Sequence, residues 1–91
     1  MSLALEKKVK VVKHQSNNNR FVLSESGSEC VLDYRLSETS SGHKVDFTHT
    51  YVPDELRGRG LAELLVGAGL AWAKEQDYQI EASCWYVDKF L

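Results

Sequence analysis

Apolar and polar residues alternate along three stretches of this chain before the period changes. Residues 20–24 place Phe21 and Leu23 on one side. Residues 30–37 set Leu32, Tyr34 and Leu36 against Val31, Asp33 and Arg35. Residues 44–52 set Val45, Phe47, His49 and Tyr51 against Lys44, Asp46, Thr48 and Thr50. A period of two belongs to strands, so these runs predict an antiparallel meander with one wet face. Its connectors are residues 25–29, which contain Gly27, and the serine-rich residues 38–42. Residues 9–13 have the β-branched content and lysines of an edge strand, and a polar turn follows at 15–19. Residues 1–8 hold a helix-compatible phrase without a cap, expected to fray.

From Leu61 the spacing lengthens. Leu61, Leu64, Leu65, Ala68 and Trp72 recur at helical intervals, widened by Leu70, Ala71 and Ala73. Gly67 and Gly69 cost helix propensity, which points to close packing of the helix backbone on the sheet. Residues 74–77 close the helix, residues 78–84 predict a further strand, and residues 85–91 a short turn or helix. Two strands joined through a helix are expected to run parallel with a right-handed crossover. The reading is therefore an α+β (α/β) domain: a mostly antiparallel sheet with one parallel β-α-β unit around one long helix. That helix can cover one sheet face, leaving the other open to a dimer partner or an acceptor substrate.

Ninety-one residues with 43% apolar content allow one self-sufficient core, a single domain spanning 1–91. The net charge of -2 argues against a nucleic-acid binder. Cys30 and Cys84 are too few and too far apart for a zinc site or a disulfide framework, and His14, His43 and His49 lack metal-ligand spacing. No metal is expected. With no signal-like or membrane-length apolar run, a soluble cytoplasmic protein with free thiols is the default, as a monomer or weak homodimer.

Residues 52–62 connect the last alternating run to the helix, reading Val-Pro-Asp-Glu-Leu-Arg-Gly-Arg-Gly-Leu-Ala. A helix start leaves amides unpaired and carries the positive end of the macrodipole, so a glycine-bearing loop there is a seat for phosphate. Gly58 and Gly60 clear side chains from the approach, and Arg57 and Arg59 add mobile positive charge. Arg57, Gly60 and Ala62 fit R-x-x-G-x-A. With the lead-in at 48–53, the following helix and a strand ending in Ser83-Cys84-Trp85-Tyr86-Val87, this resembles the acetyl-coenzyme A loop of the GNAT superfamily of N-acetyltransferases, in its compact single-domain branch.

The resemblance covers residue 20 to the C-terminus. It implies a GNAT-like fold, acetyl-CoA as a substrate and a primary amine as acceptor, whether a small amine or a protein lysine. It implies that strands beside the loop diverge, that Tyr51 and Val52 offer backbone to the pantetheine arm, and that Arg57, Gly58, Arg59, Gly60, Leu61 and Ala62 receive the pyrophosphate. The helices that usually help form the acceptor pocket are missing, so a coenzyme-A-binding or sensor module without catalysis is the alternative.

For chemistry, Cys84 is a candidate nucleophile or proton donor, with a small buried core residue as the competing reading. Tyr86 is the acid candidate that the resemblance supplies. The competing reading is a ring with a wet hydroxyl. His49 has the imidazole for a general base, yet its parity with Phe47 suits a hydrogen-bonded core histidine unless a bulge intervenes. Glu81 and Asp46 are candidates to bind the amine or to sit in solvent. Trp72 and Trp85 are expected on the core or its rim, and Cys30 inside it.

Overall fold

The alternating runs become a sheet, and the computed structural model describes it within residues 11–91. The helix-compatible phrase at 1–8 and the first two residues of the edge strand at 9–13 lie outside the described residues. The strands are β1 (Val12–Gln15), β2 (Arg20–Glu25), β3 (Ser28–Thr39), β4 (Gly42–Tyr51) and β5 (Gln79–Ala82). The helices are α1 (Leu61–Glu75) and α2 (Trp85–Asp88). The sheet keeps chain order, β1-β2-β3-β4-β5, antiparallel except that β4 and β5 are parallel.

The hairpin connections are tighter than the composition suggested. Pairing of Glu25 with Ser28 leaves only Ser26 and Gly27 as the turn, at φ 54 and 80. Positive φ at both positions matches the twist of the flanking strands. Thr39 pairs with Gly42, and its hydroxyl donates to the Gly42 carbonyl (3.0 Å) while accepting from the Ser41 amide (3.3 Å). Ladder bonds need no apolar side chains, so strands run on through polar ends where alternation fades.

One face of the sheet carries the core. Phe21, Leu23, Cys30, Leu32, Tyr34, Val45 and Phe47 are buried against Leu61, Leu65, Val66 and Ala73 of α1. Leu64, counted in the apolar stripe, is 45% exposed, and the buried line instead runs through Leu61, Leu65, Gly69 and Ala73. Trp72 docks the helix on the strand edge, with its ring 4.9 Å from Tyr34, 4.7 Å from His14 and 5.6 Å from Phe21. His14 Nε2 lies 2.6 Å from the Tyr34 hydroxyl. Trp85 departs from expectation: it is 74% exposed, while its neighbour Val87 is the residue that anchors α2 in the core.

The parity of β4 breaks at Thr48. Asp33 pairs with His49 and Tyr34 with Phe47, so Thr48 is the extra residue of a bulge, its hydroxyl donating to the Asp33 carbonyl at 3.3 Å. Beyond it every side chain changes face. Thr50 now pairs with core residue Leu32, whereas His49 and Tyr51 are exposed on the face away from α1. The core-histidine reading of His49 is overturned by this one insertion. The second face is not wholly open either, because Val22 and Val31 are buried there beside an Arg20–Asp33 ion pair of 2.8 Å.

The two helix glycines separate. A Cβ on Gly69 would lie 2.8 Å from Leu32 Cδ2 and 3.0 Å from Phe47 Cε1, and both neighbours are fully buried. A Cβ on Gly67 would meet nothing within 4 Å. Gly67→Ala should therefore raise stability by up to about 1 kcal/mol through helix propensity. In Gly69→Ala that gain is outweighed by overpacking of roughly 1–3 kcal/mol. Denaturant midpoints moving in opposite directions would bear this out, and a stabilised Gly69→Ala protein would refute the close approach.

Candidate functional site

β4 and β5 stay paired only from Lys44 and Gln79 to Phe47 and Ala82. A last bond runs from the Cys84 amide to the Phe47 carbonyl (3.0 Å), and Asp46 holds the turn by accepting from the Ser83 amide and hydroxyl, each at 2.7 Å. Asp46 is thus occupied as a structural anchor, and Glu81 accepts from Lys44 at 3.4 Å. Past this point the strands part. The gap opens into a cleft of about 970 Å³, with Thr48, His49, Thr50 and Val52 on one wall and Ser83, Cys84, Trp85 and Tyr86 on the other. Its floor is Leu56, Arg57, Gly58, Gly60, Leu61, Ala62 and Glu63.

The floor has the geometry of a helix mouth. Gly58 and Gly60 sit at φ 83 and 75, backbone that side chains other than glycine's adopt at a cost. The first helical bond is from the Leu64 amide to the Gly60 carbonyl (3.2 Å), and no side chain caps this end. The amides of Leu61, Ala62 and Glu63 therefore have no helical carbonyl to bond, and all three residues belong to the cleft floor. Glu63 stands in that first turn with Oε1 3.7 Å from where a Gly60 Cβ would be.

The arginines are not equivalent. Arg57 lines the cleft, its Nε donating to the Val52 carbonyl (3.0 Å) and its guanidinium pairing with Asp54 at 2.9 Å. Arg59 is absent from the cleft lining and pairs with Glu25 at 2.9 Å, tying the loop to the β2–β3 hairpin. Ser28 adds a second tie, donating to Glu55 at 2.8 Å. Tyr51 is also outside the lining, with its ring exposed on the far face. Val52, Gly58, Gly60, Leu61 and Ala62 are brought together as the sequence suggested.

Cys84 is half-buried, with Sγ 3.5 Å from the Thr50 hydroxyl. Burial pushes its thiol upward. The Thr50 hydroxyl and the backbone at Val87, Tyr86 and Thr50 oppose this, and the balance leaves the thiol below its ordinary range. Cys30 is the contrast: burial, then the nearby Glu25 charge, push it up. Tyr86 is raised by burial and secondly by Glu63, so the phenol is held protonated. His49 reaches the cleft rim from the opposite face. Two contributors escaped the sequence reading. Thr50 was assigned to the wrong face by the unseen bulge, and Glu63 is an ordinary first-turn acid until the fold brings Tyr86 beside it. Among the described residues no three His, Cys, Asp or Glu side chains converge to hold a metal, and no helix is long and apolar enough to cross a membrane.

The thiols should differ in reactivity. Because the thiolate is the nucleophile, Cys84 is expected to alkylate with iodoacetamide at least ~10-fold faster than Cys30 at neutral pH. Thr50→Val removes a donor to the thiolate, so the pH profile of Cys84 alkylation should move to higher pH. An unmoved profile would remove Thr50 as a cause.

The sequence profile of the GCN5-related N-acetyl-transferase family matches residues 20–91, from the start of β2 through α2. Protein NATD1 of Bos taurus is 37% identical over 82 residues, covering 88% of this chain and 70% of that protein. Protein NATD1 of Homo sapiens is 35% identical over 82 residues, with 88% and 70% covered. Protein NATD1 of Gallus gallus is 35% identical over 82 residues, with 88% and 72% covered. A profile match over most of the chain, joined to relatives of this identity, places the protein: it belongs to the GCN5-related N-acetyltransferase family.

Proposed function

We propose that this chain binds acetyl-CoA in the cleft and transfers the acetyl group to a primary amine. The observation that carries the reading is the parting of β4 from β5 directly above the uncapped mouth of α1. The amides at that mouth suit a pyrophosphate, with Arg57 beside them. The open edge of β4 suits the amide-bearing pantetheine arm, which can add to it as an extra strand. An arm laid along that edge from the mouth of α1 leads toward Cys84 and Tyr86.

These two groups then divide the proton work. Tyr86, held protonated, is the donor for the departing thiolate. Cys84, with its thiol lowered, serves as a base for the amine proton or as a nucleophile that carries the acetyl group first. His49 at the rim reaches the acceptor only from the far side. Most of the rate enhancement is assigned to positioning, since aligned reactants alone supply effective molarities on the order of 10⁵ M or more.

Calorimetry with acetyl-CoA, followed by thiol release with a panel of amines, tests this. Gly60→Val places a β-branched residue at positive φ and should weaken binding by at least ~10-fold. Arg57→Ala should weaken it less, because its guanidinium is exposed and already paired with Asp54, so its pull on an anion is screened. Binding without release to any amine would favour a coenzyme-A-binding module, and absence of binding would sink both readings. Glu63 opposes an anion at the same mouth, so Glu63→Gln should tighten acetyl-CoA binding by roughly 3-fold at low salt, less as salt is raised. Weaker binding in that variant would mean the phosphates lie elsewhere.

A further inference from the structure

Lys89, the residue that ends α2, folds back along the helix onto its aromatic residues. Its Nζ lies 4.6 Å from the Tyr86 ring centroid, 5.4 Å from Trp85 and 5.9 Å from Phe90. Trp85 and Tyr86 are themselves cleft walls, and Trp85 is 74% exposed, so nothing at that side chain seals the mouth. A primary amine is thus tethered on two side chains of the wall that carries Cys84, although Lys89 itself is not part of the cleft lining. The other described lysines are placed differently. Lys44 bonds Glu81 (3.4 Å), Lys74 lies in the last turn of α1, opposite the end that floors the cleft, and Lys13 is on edge strand β1.

We infer that Lys89 is an acetylation site of the protein itself, the acceptor of one acetyl group from an acetyl thioester bound in the cleft. This rests on the acetyl-transfer reading above and adds an acceptor to it. In the step, a bond forms between Nζ and the acetyl carbonyl carbon, and the carbon–sulfur bond breaks with its electron pair leaving on sulfur. The proton shed by Nζ ends on that thiolate, directly or through the Tyr86 hydroxyl. The amine attacks as the neutral nucleophile, and its contacts with the rings have to loosen before it meets the thioester. Tethering compensates by raising the effective concentration of the amine. The result is a slow event that occurs once per chain.

Two measurements test it. In the free protein, the Lys89 Hε proton resonances should be shifted upfield by the rings, and random-coil values would overturn the placement. With acetyl-CoA and no added amine, peptide mass mapping after hydroxylamine treatment, which strips thioesters but spares amides, should find one acetyl group at Lys89. Its rate per chain should not change on dilution. Lys89→Arg keeps a cation over the rings, and should abolish that modification while thiol release to an added amine continues. Acetyl groups scattered over Lys13, Lys44 and Lys74, a rate that falls on dilution, or equal modification of heat-unfolded protein would each overturn the inference. An unmodified Lys89 beside an acetylated external amine would sink this inference alone. Failure to bind acetyl-CoA would sink the transfer reading as well.

Discussion

The architecture depends on where β4 stops pairing with β5. Up to Phe47 and Ala82 the two strands share a ladder, and after that the obligatory donors and acceptors on that edge of β4 need other partners. Part of the demand is met locally, by the Cys84 amide on the Phe47 carbonyl and by Asp46 on Ser83. The rest of the edge borders the cleft. The bulge at Thr48 sits at this same point, keeping β4 joined to β3 while its course relative to β5 changes. Bulges increase twist and re-aim side chains, and here the re-aimed one is Thr50, turned toward Cys84.

A loop that presents bare amides has to be held without filling the space it presents. The ties that hold it come from outside: Arg59 to Glu25 and Ser28 to Glu55 fasten it to the β2–β3 hairpin, and Arg57 closes it on Val52 and Asp54. Such exposed pairs contribute little stability individually. Together they tie down the loop in which Gly58 and Gly60 sit at positive φ before the uncapped start of α1.

Much of this was legible in the sequence because it is written in periodicity. Alternation located β2, β3 and β4, the helical interval located α1, and R-x-x-G-x-A located the mouth between them. What alternation cannot register is one unpaired residue. The bulge leaves the pattern of types intact while reversing the faces beyond it, so His49 and Tyr51 were read inward and Thr50 outward. Contacts between distant segments were equally hidden: Thr50 meets Cys84 across 34 positions, and Arg59 finds Glu25 across the same interval. An arginine in a loop reads as free charge until the fold supplies its carboxylate. Trp85 misled for the opposite reason, since an apolar ring next to a strand end reads as core unless the turn that faces it outward is known.

The two reactive candidates illustrate how one small site can separate protonation states. Cys84 and Tyr86 lie two residues apart and both are partly buried, so desolvation pushes both upward. Cys84 additionally stands before α2, where the backbone and the Thr50 hydroxyl favour its anion, whereas Tyr86 faces the carboxylate of Glu63, which disfavours another negative charge. In the proposed reaction, environments that drive neighbouring groups apart suit one to act as base or nucleophile and the other as acid. Glu63 thereby acts at both ends of the cleft: it opposes an anion at the helix mouth and preserves the phenol's proton at the wall. Under the proposed acetyl transfer, the same charge weakens the grip on a diphosphate and keeps a donor ready for the leaving thiolate.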